Sequence, residues 1–144
     1  MRVTAFLVDH GLFKPALGYR IDYQGHSVVL SGDTRPSDNL VKYARSVDVL
    51  VHEVFDPVAY RELSNTMTPQ QRQRVAEHHT TPEEAGRIFT KVAPKLAVYS
   101  HIVPPEVPDV VAHTRLTYSG PLEVGVDLMT IEIGEQVRVR RASH

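Results

Sequence analysis

The sequence contains no cysteine, no long apolar run and no marked excess of either charge. Without cysteine it forms neither disulfides nor thiolate metal sites, so any metal must be held by nitrogen and oxygen atoms. No segment approaches the roughly 20 apolar residues that a membrane helix needs. The net charge of −1 and the lack of long Lys/Arg runs give no footprint for wide contact with nucleic acid or membranes.

Length and composition predict a single globular domain. The chain has 144 residues, of which 42% are hydrophobic and 23% are charged. Both values are ordinary for a globular protein. Residues 1–9 lack the long apolar core and the small-residue cleavage site of a secretory signal. We therefore expect a cytoplasmic protein.

The hydrophobic pattern predicts an antiparallel opening followed by alternating helices and strands. Strands are predicted at 3–8, 17–23, 27–30, 48–54 and 95–101, with a tight turn at Gln24-Gly25 and a closing hairpin of 128–133 and 136–140 around Gly134. Helices are predicted after the N-cap Ser37, at both ends of 57–76 with 66–70 loose between them, from Thr81 to about Val92, and over 108–117. This order is typical of an α/β protein in which helices pack on one face of a layered sheet.

Polar side chains follow four of the predicted apolar strands. They are His10, Asp33, Glu53 and His101. A sheet projects side chains at strand ends into a crevice without burying their charge. One histidine in such a position is most often only solvated or hydrogen bonded, but four such groups together indicate a site. Carboxylate and imidazole are the groups from which hydrolytic metal sites are built.

Six ordered blocks carry a resemblance to a known family. They are 8–11 (VDHG), 17–21 (LGYRI), 29–34 (VLSGDT), 51–53 (VHE), 79–85 (HTTPEEA) and 99–101 (YSH). Together they resemble the later motifs of the metallo-β-lactamase-fold hydrolases, nearest to the branch of ribonuclease Z and arylsulfatase-like enzymes. The resemblance covers about residues 3–133. It implies the C-terminal half of that fold, with αββα-type layers and a mixed sheet carrying helices on one face.

The resemblance also implies a role for five residues. His10 would bind the first of two zinc ions, Asp33 would bridge both, and His101 would bind the second. His79 would assist proton transfer to the leaving group, and Glu53 would orient it. A pair of metal ions lowers the pKa of a shared water and so generates hydroxide at neutral pH. The implied enzyme is a zinc hydrolase of an ester, lactone, sulfate or phosphodiester.

One motif of that family is missing from the sequence. The string His-x-His-x-Asp-His, which supplies four metal ligands in the family, occurs nowhere in the 144 residues. We therefore interpret residues 1–144 as a single partial domain whose metal occupancy is doubtful and whose activity alone is weak or absent. An isolated half would expose an apolar sheet face. This predicts either a homo-oligomer or a separate N-terminal half as partner.

The sequence leaves the substrate and two other functions open. The segment between the 17–21 and 29–34 blocks is much shorter than in ribonuclease Z. With the near-zero charge, this argues for a small-molecule substrate and against tRNA processing or another nucleic-acid partner. A catalytically silent fragment, which folds by self-association without binding metal tightly, is the main alternative. A metal-independent scaffold is the third, although it leaves the four strand-end groups unexplained.

Overall fold

The structure, a computed structural model, describes residues 1–63, 66–105 and 109–141. Its strands are β1 (Arg2–His10), β2 (Phe13–Tyr23), β3 (His26–Leu30), β4 (Val49–Phe55), β5 (Leu96–Val103), β6 (Leu122–Val124), β7 (Thr130–Ile133) and β8 (Val137–Arg140). Its helices are α1 (Asp38–Tyr43), α2 (Pro57–Leu63), α3 (Pro69–Ala76), α4 (Pro82–Val92) and α5 (Val110–Thr114). Within these ranges no helix combines the length and the apolar character needed to cross a membrane.

Six strands form one mixed sheet in the order β1-β2-β3-β4-β5-β6, and β7 pairs with β8 in a separate hairpin. The first three strands pair antiparallel, as predicted, and β3 to β6 pair parallel. Gln24 and Gly25 make the predicted turn with φ values of 49° and 82°, the positive φ that a two-residue hairpin turn requires at both positions. Because β3, β4 and β5 are parallel, their carboxyl ends lie at the same edge of the sheet.

Helices pack on one face of the sheet, as the order of elements predicts. Leu40 of α1, Phe89 of α4 and Val110 of α5 share one buried cluster with Val29 and Leu50 of the sheet. Burying a side chain such as Phe89 contributes about 1.5–3 kcal/mol. This cluster fixes the strands that carry the site.

Helix α4 begins and ends as predicted. The Thr81 hydroxyl accepts a hydrogen bond from the Glu84 amide, while the Glu84 carboxylate accepts one from the Thr81 amide. This capping box satisfies two amides that a helix start leaves without partners. Ala93 adopts the left-handed conformation and closes the helix after Val92. The fixed start of α4 determines where the preceding His79 can lie.

The opposite face of the sheet is covered only in part. The hairpin of β7 and β8 packs Ile131, Ile133, Val137 and Val139 against the buried residues Val49, Leu96 and Val98. The strands β1 to β3 remain open there, with Leu7 60%, Val3 53%, Tyr19 40% and Leu30 37% exposed. We call these four side chains the open sheet face. The structure therefore confines the predicted exposed apolar face to the antiparallel part of the sheet.

Two helices differ in extent from the prediction. Helix α5 is shorter than the predicted 108–117, of which 108 lies outside the described residues. The amides of Thr117 and Tyr118 both donate to the Thr114 carbonyl, so the chain turns there instead of continuing as a helix. Helix α3 starts earlier than predicted, at Pro69, because Thr68 forms a capping box with Gln71.

One strand of the large sheet was not predicted. Strand β6 (Leu122–Val124) pairs parallel with β5. Its three residues are too few to show the alternation by which a strand is recognised in a sequence.

Candidate functional site

A crevice at the carboxyl edge of β3, β4 and β5 brings together three of the predicted site residues. Asp33, Glu53 and His101 line this cavity of about 180 Å³. Asp33 lies in the loop after β3, as predicted, while Glu53 and His101 lie toward the carboxyl ends of β4 and β5, within the strands predicted at 48–54 and 95–101. Elements of the sheet therefore position two of these side chains directly.

A β-bulge explains how residues inside strands reach the crevice. His52 pairs with Tyr99 and Val54 pairs with Ile102, so Glu53 alone opposes both Ser100 and His101. His101 has a φ of 47°, in the left-handed region that a side chain with a Cβ seldom adopts. Bulges of this kind redirect side chains next to active sites.

Glu53 is a buried carboxylate with a complete set of partners. Only 1% of the residue is exposed. Its Oε1 accepts a hydrogen bond of 2.9 Å from the Thr34 amide, and its own amide donates to Ser31 Oγ at 3.1 Å. Both carboxylate oxygens lie 3.0–3.1 Å from His79 Nδ1. Since an unpaired buried charge is costly, these contacts fix the carboxylate and the ring that it faces.

His79 lies in the turn between α3 and α4, with its side chain 11% exposed. The Phe55 ring stacks on it at a centroid distance of 5.7 Å and an angle of 14°. Burial lowers the pKa of His79, but the hydrogen bond and charge of Glu53, with the charge of Asp33, outweigh burial and raise that pKa. Because Nδ1–H donates to Glu53, Nε2 is the ring atom left to exchange a proton with a ligand.

His10 is the last residue of β1 and lies beside His79. Its Nδ1 donates to the His78 carbonyl at 2.8 Å, and its ring centroid is 5.0 Å from that of His79. Gly11, with a φ of 62°, permits this contact, because a Cβ there would collide with the His78 ring. Histidines that bind metals usually donate their second ring N–H to a carbonyl or carboxylate in this way. The arrangement leaves Nε2 of His10 available.

Asp33 and His101 form a pair at the mouth of the crevice. Asp33 Oδ2 lies 3.6 Å from His101 Nε2. Gly32, with a φ of 62°, turns the chain past β3 at a point where a Cβ would collide with the Leu17 carbonyl. Two donors on one tetrahedral zinc are about 3.3 Å apart, as bond lengths near 2.0–2.1 Å require. The spacing of this pair is therefore close to that of two ligands on one ion.

Three supporting residues of the site were not predicted. Ser31 and Thr34, which hold Glu53, flank Asp33 in the SGDT block, and this proximity was their only signal in the sequence. Phe55, which stacks on His79, had none, because it is an apolar residue at the end of an apolar strand. His52 is fully buried, and burial lowers its pKa. Its Nδ1 donates to the Glu53 carbonyl at 2.6 Å, so this neutral ring belongs to the core.

The family model of the beta-lactamase superfamily domain matches residues 1–102 of this chain. The chain belongs to that superfamily and has the metallo-β-lactamase fold. The resemblance found in the sequence blocks is confirmed. The mixed sheet, with Asp33, Glu53 and His101 at its carboxyl edge, is thus a metallo-β-lactamase-fold sheet.

Relatives of this metallo-β-lactamase-fold chain include ribonuclease Z enzymes. Ribonuclease Z of Mycobacterium tuberculosis (strain H37Rv) is 35% identical over 130 residues, which cover 87% of the chain and 46% of that protein. The chain spans about half the length of the curated relatives it matches, covering 45–56% of ribonuclease Z proteins from several mycobacteria.

Two solved structures show the same fold. The metallo-β-lactamase-fold protein YhfI from Bacillus subtilis matches with a TM-score of 0.64 at 18% identity, over 85% of this chain and 46% of that one. Human tRNase Z, short form, matches with a TM-score of 0.50 at 25% identity, over 69% of this chain and 35% of that one.

Proteins with the metallo-β-lactamase fold bind metal ions, and the side chains of this chain meet that requirement in part. Asp33 and His101 have donor atoms of the right type and spacing. Across 1–63, 66–105 and 109–141, however, no group of three or more His, Asp or Glu residues is placed to hold an ion. A catalytic zinc usually has three protein ligands. The described residues thus fit a metal in type and pairwise spacing but not in number, and the roles of His10, Asp33 and His101 stay predictions.

Proposed function

We propose that this chain supplies the proton donor and part of the metal site of a metal-dependent phosphodiesterase. The observation that carries the proposal is the buried Glu53–His79 pair, which lies beside the Asp33–His101 pair. The first pair is suited to proton transfer and the second to metal binding. Among the predicted bonds, the phosphodiester is the one that the ribonuclease Z relatives support.

The comparisons count against the predicted small-molecule substrate and against the predicted exclusion of nucleic acid. Both predictions were drawn from a short turn and a near-zero net charge. Relatives at 35% identity carry the name ribonuclease Z, and total charge does not report the local charge of a site. We propose RNA or a related nucleotide phosphodiester as substrate.

In this proposal His79 acts as the general acid. Its Nδ1–H bond to Glu53 fixes the ring orientation and directs Nε2 toward the leaving oxygen. The Glu53 carboxylate raises the pKa of His79, so more of the ring is protonated at neutral pH than in a free histidine. Phe55 shields one face of the ring. Metal in the completed site would supply Lewis-acid activation of the phosphate and of the attacking water.

We propose that a complementary half-domain, carrying a His-x-His-x-Asp-His motif, completes the metal site and covers the open sheet face. His10, Asp33 and His101 are the ligands proposed from this chain, and zinc is the proposed metal. The absence of a third donor among the described residues and the roughly twofold greater length of the relatives support this proposal. The exposed Leu7 and Val3 support it as well, because soluble monomers seldom leave such patches uncovered.

Without the complementary half-domain, the purified chain is expected to associate with itself through the open sheet face. Light scattering after size-exclusion chromatography should give a mass above the 16.2 kDa of one chain. Leu7→Asp should shift the mass toward the monomer, because it places a charge on that face. The control Leu116→Asp changes a residue that is 73% exposed and lies outside the face, and it should leave the mass unaltered. A stable monomer of the unsubstituted chain would contradict this proposal.

The function is tested by supplying the proposed complementary half-domain. The chain would be co-expressed with the part of the Mycobacterium tuberculosis ribonuclease Z that it does not match, giving a complemented protein. We expect zinc-dependent hydrolysis of bis(p-nitrophenyl) phosphate that EDTA abolishes, and far less from the chain alone. A complemented protein that binds zinc but hydrolyses no phosphodiester would refute the proposed function.

A further inference from the structure

A second cavity adjoins the Glu53–His79 pair. The function proposed above gives this cavity no role. Its volume is about 390 Å³, within the range of about 300–1,000 Å³ usual for ligand pockets. Its wall is mainly apolar and is lined by His10, Phe13, Arg74, Val75, His78 and His79. The Glu53–His79 hydrogen bond joins it to the Asp33 crevice, because Glu53 lines that crevice and His79 lines this pocket. A ligand in the pocket would lie next to the proposed proton donor.

One side of the pocket offers an aromatic surface. Phe13 is the first residue of β2 and is 61% exposed. Its ring contacts the His10 ring at 5.0 Å and the edge of the His78 ring at 5.6 Å. Those two rings support it from within and leave much of its surface to solvent. Exposed aromatic rings beside a basic group are the platforms on which unpaired bases stack.

The other side of the pocket carries the guanidinium of Arg74. Arg74 lies on α3, and no carboxylate in the described part of the chain forms an ion pair with it. None of the six lining residues is acidic. A guanidinium at the edge of an apolar pocket, with no acidic residue among those that line it, favours a ligand that has both a flat apolar part and a negative charge. Guanidinium groups bind phosphate with two parallel hydrogen bonds.

We infer that this pocket binds a nucleotide unit, with its base against Phe13 and its phosphate on Arg74. The ligand would be the nucleotide unit of the substrate next to the cleaved bond. In this respect the inference rests on the proposed phosphodiesterase function. The pocket would then select substrates that carry a base at that position. Simple phosphodiesters, such as bis(p-nitrophenyl) phosphate, lack a base and would not use the pocket.

The test measures binding without metal, so that it does not depend on catalysis. Fluorescein-labelled hexa-adenylate RNA is titrated with the 144-residue chain in EDTA, and anisotropy gives the dissociation constant. Phe13→Leu should weaken binding about 5- to 150-fold, the usual effect of losing one stacked base. Arg74→Gln should weaken it and lower the salt dependence by about 0.7 in log–log slope, as expected for one lost contact to a single strand. An abasic hexamer should respond to Arg74→Gln but not to Phe13→Leu.

Matched controls separate the pocket from general binding. Tyr23→Leu removes an aromatic residue that is 54% exposed at the far end of β2, and Arg87→Gln removes an exposed arginine of α4. Neither should change affinity more than about twofold, a difference below 0.5 kcal/mol. Equal losses in these controls, or no loss in Phe13→Leu, would overturn the inference. Circular dichroism confirms that each variant is folded.

Two further outcomes distinguish the inference from the proposed function. Phe13-dependent binding without any phosphodiester hydrolysis by the complemented protein would refute the function and uphold the pocket. Hydrolysis with RNA binding unchanged in both pocket variants would refute the pocket and uphold the function. Free AMP is the last probe. If it competes as well as the hexamer, the pocket takes a single nucleotide, and the assignment to a strand of RNA is wrong.

Discussion

Replacing Asp33 by alanine is expected to abolish zinc binding by the complemented protein. Asp33 Oδ2 lies 3.6 Å from His101 Nε2, and the proposed role of this carboxylate is to bridge two ions. Its loss would remove one of the three ligands proposed from this chain, together with the negative charge that would offset the charge of the bound metal. Equilibrium dialysis against zinc followed by elemental analysis should show a fall from about two ions per complex, the number in a two-metal site, to nearly none.

Asp38→Ala is the matched control for this experiment. Asp38 is an exposed aspartate in the first turn of α1, so its replacement changes the net charge equally without touching the crevice. It should retain the full metal content. Retained zinc in Asp33→Ala would disprove the bridging role. No zinc in the unsubstituted complex would favour the alternative of a silent fragment.

Replacing His79 by alanine is expected to lower hydrolysis of a dinucleoside monophosphate by about 10²- to 10⁴-fold, the usual contribution of a general acid. The leaving ribose oxygen is strongly basic and needs a proton. Bis(p-nitrophenyl) phosphate provides the contrast, because nitrophenolate leaves without one, and its hydrolysis should change little. The two values of kcat/KM, measured on the same complemented protein, decide the question. Equal losses on both substrates would contradict a role in proton donation.

The pH dependence of hydrolysis should report the protonation of His79. A general acid must be protonated, so the rate with the dinucleoside monophosphate should fall as pH rises through the pKa of His79. Burial lowers that pKa, but Glu53, assisted by Asp33, raises it above the usual value near 6.5. Glu53→Gln removes the charge that raises it, so the alkaline fall should begin at lower pH. An unchanged pH profile in Glu53→Gln would show that another group controls the fall in rate at alkaline pH.

His113→Ala is the control for His79→Ala and Glu53→Gln. His113 is also paired with a buried carboxylate, since its Nδ1 lies 3.3 Å from Asp56 Oδ2. It lines neither the Asp33 crevice nor the Phe13 pocket. Its loss should leave both substrates and the pH profile unaltered.

Local signals in the sequence were sufficient to predict much of the fold. Thr81, Glu84 and the apolar spacing after them predicted α4 to its last residue, because capping and periodicity act within a few turns of chain. Gln24-Gly25 likewise predicted the turn between β2 and β3. The order of the strands predicted the edge at which Asp33 lies near Glu53 and His101.

Features that depend on contacts between distant elements were not predicted. The bulge that directs His101 into the crevice arises from its pairing with β4, and no residue type marks it. The stacking of Phe55 on His79 joins two parts of the chain that the sequence shows only as an apolar strand and a polar turn. Residue types therefore indicated the chemistry of the site, while its distances required the structure.

The burial of Glu53 separates the contacts that hold His79 from the surface of the protein. Glu53 holds His79 from the interior, through partners at Ser31 and Thr34 that are themselves buried. Phe13 and Arg74, in contrast, stand at the exposed rim. On the roles proposed above, substitution at the rim would alter which substrates are accepted without loosening the hold of Glu53 on His79. The side chains proposed to hold the proton donor and those proposed to contact the substrate thus form two separate sets, one buried and one exposed.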